Sequence, residues 1–357
     1  MTKDKIIPLS AATKRSVRRA GLVYGSDRLP GIRRIRTGNG FRYLSASGRP
    51  ISCQRTLSRI KCLAIPPAWR DVWICPSPQG HLQATGLDSR NRKQYLYHPR
   101  WRQLRDETKF DRLEAFGQSL GKLRARVRRD LRKRGYPREK IIATIVRLMQ
   151  TTLIRIGNED YARQNGTFGL TTMRNRHATI RGAKVCFHFP GKSGIRHEID
   201  LHDRRLAAIV KGCQELPGQE LFQYVDEAGQ RHKVTSGDVN SYLQEVMGQD
   251  FTAKDFRTWA GTVLASVALL RQRPGHSATE TKRNVVKAVS DVAHQLRNTR
   301  SVCRRSYIHP AVIDCYSNGS LTGLCRQSPC KAHQSRNRWL SADERVLLMF
   351  LKNYPNA

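Results

Sequence analysis

The sequence predicts an α+β protein, with a small N-terminal antiparallel β-sheet domain with helices and a larger, mostly α-helical domain that carries one β-hairpin. Three observations predict it. From Gly21 to about Trp101 short β-prone runs alternate with turn signals. From about residue 105 the texture changes, and apolar residues recur every three or four positions. Between Ala178 and Asp200 the period returns to two, on either side of the turn Pro190-Gly191-Lys192-Ser193-Gly194. The expected boundaries are a basic flexible arm over 1–20, the sheet domain over 21–108, the helical domain over 109–319 and a partly disordered C-terminal extension over 320–357.

In chain order, the arm carries Arg15, Arg18 and Arg19. The predicted strands are Gly31-Ile-Arg-Arg-Ile, Phe41-Arg-Tyr-Leu, Val72-Trp-Ile-Cys, His81-Leu-Gln-Ala-Thr and Gln94-Tyr-Leu-Tyr. Leu57, Ile60 and Leu63 stand at helical spacing, and Pro66-Pro67 stops that helix. Strand alternation places Lys93, Tyr95 and Tyr97 on one face, offering hydroxyls and an ammonium to a phosphate backbone; sheet-core tyrosines are the competing reading. Leu113, Phe116, Leu120, Leu123, Val127 and Leu131 mark one helix with arginines on its other face, ended by Gly135 and Pro137, and a second runs from about Arg138 to Ile154. The hairpin alternates Val185, Phe187 and Phe189 against Ile195, His197 and Ile199, which puts Lys192 at an exposed tip. A polar stretch then leads through Thr252 to Thr262 into an apolar helix, Val263 to Leu270. A further helix carries Val285, Val289, Val292 and Leu296 and delivers Asn298 beyond its end. Leu340 to Leu351 is amphipathic, and the sequence assigns it no role.

Composition narrows the function. Sixty-five Lys and Arg against 28 Asp and Glu give a formal charge of +37, a self-repulsion that suits a protein working beside a polyanion, with nucleic acid favoured. The basic residues accompany no long apolar run, so a membrane partner is not expected and a cytoplasmic protein on the bacterial nucleoid is. Nine scattered cysteines fit reduced thiols better than a disulfide framework. Cys325, Cys330 and His333 have the wrong spacing for the usual zinc sites, and no metal or cofactor is expected. Gly191-Lys192-Ser193 resembles part of a phosphate loop, yet Cys186 stands where its first glycine belongs and the triplet lies in a hairpin, so no ATP site is expected.

The chemistry points to His294–Pro310, where Tyr307 stands among Asn298, Arg304 and Arg305 just before Pro310. A phenol is mostly protonated at neutral pH, so its attack on a phosphodiester needs neighbours that stabilise charge developing at phosphorus.

Eight pieces in order make the sequence similar to the type IB DNA topoisomerases of the small bacterial and poxvirus kind. They are Leu63-Ala-Ile-Pro-Pro-Ala-Trp, Gly80-His-Leu-Gln-Ala-Thr-Gly, Arg92-Lys-Gln-Tyr, Leu153-Ile-Arg-Ile-Gly-Asn-Glu-Asp-Tyr, Gly169-Leu-Thr-Thr, Phe189-Pro-Gly-Lys-Ser-Gly, Asp255-Phe-Arg-Thr-Trp-Ala-Gly-Thr and Ser306-Tyr-Ile-His-Pro. The resemblance implies the fold shared by tyrosine recombinases and these topoisomerases. It implies a site in which Arg155, Lys192, Arg257 and Asn298 assist Tyr307, with Arg92, Lys93, Tyr95, Tyr97, Tyr161 and Lys254 on the DNA. It further implies relaxation of supercoiled duplex DNA without ATP or metal, through a transient 3′-phosphotyrosine, by a monomer that clamps its substrate.

The chain departs from that pattern in places. Arg297-Asn298-Thr299-Arg300 stands where Gly-Asn-Thr-Pro is expected, Asn91 where glycine precedes Arg-Lys-Gln, and Asn158 where the poxvirus pattern has lysine. A tyrosine recombinase shares the arginines, the lysine and the tyrosine, but its usual His-x-x-Arg has Lys254 in the histidine position here. An architectural DNA binder would need the charge alone and would leave the tyrosine dispensable.

Overall fold

A computed structural model describes residues 17–18, 21–38, 40–89, 91, 93–272, 277–321 and 339–354. Chain contacts divide it into two compact units, Met1–Lys109 and Phe110–Ala357. The first is built on five antiparallel strands: β1 (Ile32–Thr37), β2 (Gly40–Leu44), β3 (Arg70–Ile74), β4 (Leu82–Leu87) and β5 (Lys93–Tyr97), in the order β2-β1-β3-β4-β5. Helix α1 (Gln54–Cys62) buries Ile60 against Ile32, Val72, Ile74 and Ala84, with Leu63, Trp69 and Leu96 packed around them. Arg34 of β1 donates to the carbonyls of Ile65, Pro66 and Trp69, fixing the loop that Pro66-Pro67 forces after the helix. Gly31 cannot be larger, because a Cβ there would stand 2.1 Å from Trp73 Nε1. Val17, at the end of the expected arm, is buried with Leu22 and Trp101. Helix α2 (Pro99–Asp111) follows the sheet.

The second unit is helical around one large core. Helix α3 (Leu113–Asp130) buries Leu113, Phe116, Leu120, Leu123 and Val127, as its spacing predicts. Helix α4 (Arg138–Thr152) is buried nearly all round, from Ile141 through Val146 and again at Leu148 and Met149, so it forms the centre of the unit. A short helix α5 (Glu159–Asn165) comes next, capped by the Asn158 side chain. The predicted hairpin is strands β7 (Lys184–Pro190) and β8 (Arg196–His202), joined by a further edge strand β6 (Ala178–Arg181) in the order β6-β7-β8.

The stretch read as polar after residue 200 is structured instead. It holds α6 (Arg204–Glu215), strands β9 (Gln223–Val225) and β10 (Arg231–Lys233), and α7 (Ser236–Met247). Its core is thin but real: Leu206, Val210, Phe222, Val239 and Leu243 are buried. The helix starts were written in the sequence as Asp203 and as Thr235 with Asp238, which cap α6 and α7. Helix α8 (Ala253–Leu270) begins ten residues before the expected Val263, because Thr252 and Asp255 form a capping box. The chain then forms α9 (Ala278–Leu296), α10 (Arg300–Ser306), α11 (Pro310–Ser317) and α12 (Ala342–Asn353).

Helix α12 gives the amphipathic segment its role. It buries Leu347, Phe350 and Leu351, and Glu344 accepts two hydrogen bonds from Arg124 of α3 and one from Trp259 Nε1 of α8. Cys325, Cys330 and His333 lie outside the described residues, as does Arg92. Among the described residues, all seven cysteines are free, and no helix is long and apolar enough to cross a membrane.

Candidate active site

Helix ends bring the functional side chains together. Helix α4 stops at Leu153, whose left-handed backbone (φ 56°) turns the chain into the loop that carries Arg155. That loop is fastened to the Gly169-Leu170-Thr171-Thr172 segment: Leu170 N donates to Arg155 O at 2.9 Å and Thr171 N to Ile156 O at 2.7 Å. The two backbones approach so closely that a Cβ on Gly169 would stand 2.5 Å from Gly157 Cα, and Gly157 itself has φ 101°. Two glycine-containing motifs, far apart in sequence, are thus one structure that holds Arg155.

Helix α9 ends in a Schellman turn. Asn298 N donates to Ala293 O and Arg297 N to His294 O, with Arg297 in the left-handed region at φ 49° where glycine is usual. The turn presents the Asn298 side chain toward Arg155, whose Nη2 donates to Asn298 Oδ1 at 2.8 Å. The amide is oriented by that bond, and its Nδ2 is buried without a partner.

Arg257, on the second turn of α8, is 6% exposed and ties these pieces together. Its Nη1 donates to Leu153 O at 2.5 Å and its Nη2 to Leu296 O at 2.6 Å, so one guanidinium joins the ends of α4 and α9. Its Nε is buried and unpartnered, which leaves three of its five N–H groups for another acceptor. Arg155 is half-buried, and burial first, then the neighbouring Arg257, pushes its guanidinium below the usual range.

Tyr307 follows α10 and meets both arginines. The guanidinium carbon of Arg257 lies 5.1 Å from the ring centroid, and Arg155 shares a side-chain hydrogen bond with Tyr307. The tyrosine backbone rests on α8 at Gly261, where a Cβ would stand 2.6 Å from Tyr307 O. Thr262 Oγ1, whose one proton is shared between Thr258 O at 2.8 Å and Tyr307 O at 3.3 Å, accepts from His309 N at 3.1 Å. Gly261 and Thr262 are therefore the seat of the tyrosine, a role that the motif alone did not disclose. No carboxylate among the described residues pairs with Arg155 or Arg257.

The remaining predicted residues are placed as follows. Lys192 is exposed at the hairpin tip, in a single 3₁₀ turn (Lys192–Gly194), with no hydrogen bond or ion pair among the described residues. Arg304 and Arg305 are exposed on α10 and make none either among the described residues. Lys254 is exposed on the first turn of α8, and Tyr161 is 47% exposed on α5. On β5, Lys93 pairs with Asp27 at 2.5 Å, Tyr95 is 48% exposed, and the Tyr95 and Tyr97 rings stack at 6.1 Å, while Leu96 packs on the core from the opposite face. Tyr95 is thus turned outward, whereas Tyr97 is half-buried and packs against the Val17, Leu22 and Trp101 cluster, as the sheet-core reading has it.

Sequence reasoning missed His197. It is 6% exposed, stacks on Phe189 at 4.9 Å, and both of its ring nitrogens are buried without partners. Burial, then Arg297, Arg155 and Arg257, pushes its pKa down to about 4.

Comparison with known proteins accords with this arrangement. Residues 98–321 match the family described as eukaryotic DNA topoisomerase I, catalytic core, and residues 40–88 that described as bacterial DNA topoisomerase IB, N-terminal domain. The chain is 34% identical over 297 residues to DNA topoisomerase 1B of Acanthamoeba polyphaga mimivirus, covering 81% of this chain and 88% of the relative. It is 23% identical over 287 residues to DNA topoisomerase 1 of Rabbit fibroma virus (strain Kasza), covering 76% and 85%. Against DNA topoisomerase 1B of Vaccinia virus (strain Copenhagen) it is 22% identical over 233 residues, covering 64% and 70%. Two arginines gathered on a tyrosine, one buried and one half-buried, together with these matches over most of its length, show that the chain belongs to the type IB DNA topoisomerase family, with a bacterial-type N-terminal domain and the activity of a type I DNA topoisomerase.

Proposed function

We propose that Tyr307 is the nucleophile that cuts one strand of duplex DNA, and that Arg155, Arg257, Asn298 and Lys192 make the cut possible. The phenolic oxygen forms a bond to phosphorus and the bond to the 5′ oxygen breaks, giving a 3′-phosphotyrosine and a free 5′ hydroxyl. The phenolic proton passes to solvent, and the leaving oxygen takes one from the Lys192 ammonium. The observation that carries this reading is the pair of guanidiniums gathered on Tyr307 with no carboxylate partner among the described residues. Buried cations of that kind are costly unless an anion meets them, and the non-bridging oxygens of a five-coordinate phosphorus supply one.

Asn298 Nδ2, oriented by Arg155 and otherwise unpartnered, donates to a phosphate oxygen without changing charge. The arginines and the lysine provide the charge that a divalent ion brings to other phosphoryl-transfer sites, so the reaction proceeds without metal or ATP. The link conserves the phosphoester, so the cut strand swivels about its partner and is resealed, removing supercoils of either sign. The protein acts as a monomer. Lys93, Tyr95 and Tyr97 of the N-terminal unit and Tyr161 and Lys254 of the helical unit contact the DNA backbone.

The test is supercoiled plasmid incubated with the purified protein in EDTA without ATP. Relaxed topoisomers are expected from the wild-type chain and not from Tyr307→Phe, which should still bind DNA. Relaxation that persists in Tyr307→Phe, or that needs added metal in the wild type, contradicts the reading.

A further inference from the structure

We infer that Arg297 is a positioning residue, a latch from the turn that carries Asn298 to the hairpin that carries Lys192. Its Nη2 donates to Glu198 O on β8 at 3.3 Å, crossing from the end of α9 to the hairpin. The backbone beneath it is in a conformation that favours glycine (φ 49°, ψ 60°), and an L side chain there is strained. Glycine is what the resemblance leads one to expect at this position, so the arginine is a departure with a contact to show for it.

The latch reaches Lys192 through a short mechanical chain. Glu198 adjoins His197, whose ring is clamped against Phe189 with an interplanar angle of 9°. A Cβ on Gly191 would stand 2.2 Å from His197 Nε2, so the ring and the Gly191 backbone are in direct contact. Gly191 is the residue before Lys192, and its N–H donates to Ile195 O at 2.8 Å to close the tip. Holding Glu198 therefore holds His197, which holds Gly191 and sets where the Lys192 stem begins. The inference rests on Lys192 as proton donor to the leaving oxygen.

The experiment compares single-turnover cleavage of two duplexes, one with the ordinary 5′ oxygen at the scissile phosphate and one with a bridging 5′ sulfur. A thiol has a pKa of about 8.5, so its thiolate leaves without help from an acid. Wild type, Lys192→Ala and Arg297→Gly are measured on both. Arg297→Gly should slow cleavage of the oxygen duplex by roughly 10-fold or more, short of the ~10²-fold floor for losing the acid itself. The sulfur duplex should restore most of that rate, and thermal stability should not fall, because glycine suits the turn. A defect equal on both duplexes, no defect, or a salt slope of binding lowered by about one, the mark of a lost phosphate contact, overturns the latch.

If sulfur fails to rescue Lys192→Ala, the donor reading is what fails. The latch itself is then judged by amide hydrogen exchange over residues 191–198. Faster exchange in Arg297→Gly supports it, and unchanged exchange overturns it.

Discussion

Gly261 and Tyr307 are in backbone contact: a methyl group on Gly261 would stand 2.6 Å from the Tyr307 carbonyl oxygen and 3.0 Å from its Cβ. The obstacle is the nucleophile's own main chain, so it cannot rotate aside as a flexible side chain would. Gly261→Ala should therefore displace Tyr307 relative to Arg257 on the same helix. Misplacement of about 1 Å costs on the order of 10²-fold in rate, so single-turnover cleavage should fall by roughly that factor while binding to uncut DNA persists. Wild-type cleavage in the alanine variant would show that α8 does not seat the tyrosine.

Arg257 has two duties, since the guanidinium that faces Tyr307 also joins Leu153 O to Leu296 O. Arg257→Ala should lower cleavage by at least the ~10²-fold typical of a lost transition-state donor. Arg257→Lys retains the charge but places its donors on one nitrogen, which cannot span both carbonyls and face phosphorus as well. It should stay well below wild type, and full rescue by lysine in the same assay would reduce the residue to a point charge.

Helix α12 lies beyond residues 98–321, the extent of the catalytic-core match, yet its Glu344 is 9% exposed and is held by Arg124 and Trp259. Glu344→Ala leaves the Arg124 guanidinium without its carboxylate and Trp259 Nε1 without its acceptor. Breaking a buried pair from one side costs about 3 kcal/mol or more, and urea unfolding should show a loss of that order. A loss under about 0.5 kcal/mol would mean that α12 is not part of the fold's support.

Three histidines make stability sensitive to acid. His177, His197 and His309 are each pushed down to about 4, burial being the first cause in all three, followed by Arg176 and Arg174 at His177 and by Arg297, Arg155 and Arg257 at His197. His309 Nδ1 also accepts the Ala311 N–H at 3.1 Å, a bond that a proton there would abolish. Between the unfolded value of about 6.5 and the folded value of about 4, the unfolded chain binds more protons. Stability is thus complete above about pH 6.5 and is lost as pH falls toward 4. His309→Asn, whose oxygen can cap α11 in its place, should flatten this dependence by up to about 1.4 kcal/mol per pH unit. An unchanged slope would remove His309 from the effect.

Much of this was legible in the sequence, and the exceptions have a common cause. The five strands of the first unit, the apolar face of α3, the exposed Lys192 tip and the delivery of Asn298 past α9 all follow from local periodicity and turn chemistry. Contacts made by backbone atoms do not. Nothing in the residue types indicates that Arg257 will bond the carbonyls of Leu153 and Leu296, or that Gly157 and Gly169 will touch. Arg304 and Arg305, close to Tyr307 in sequence, are exposed on α10 without a hydrogen bond or ion pair among the described residues. The start of α8 is spelled by the Thr252 and Asp255 capping box, ten residues ahead of the Val263 run that dominates the local apolar pattern. In the sequence His197 is one more alternating strand residue, and its two unpartnered nitrogens emerge only from the packing of its ring on Phe189 and Gly191.

The most direct test of the central claim is identification of the residue that becomes joined to DNA. Wild-type protein is mixed with a duplex labelled on the strand to be cut, stopped with detergent, digested with protease and sequenced by mass spectrometry. The account predicts a single nucleotide-bearing peptide, modified at Tyr307 through a 3′ phosphate, with a free hydroxyl on the released 5′ end. A modification on any other residue, or attachment through a 5′ phosphate, would contradict it.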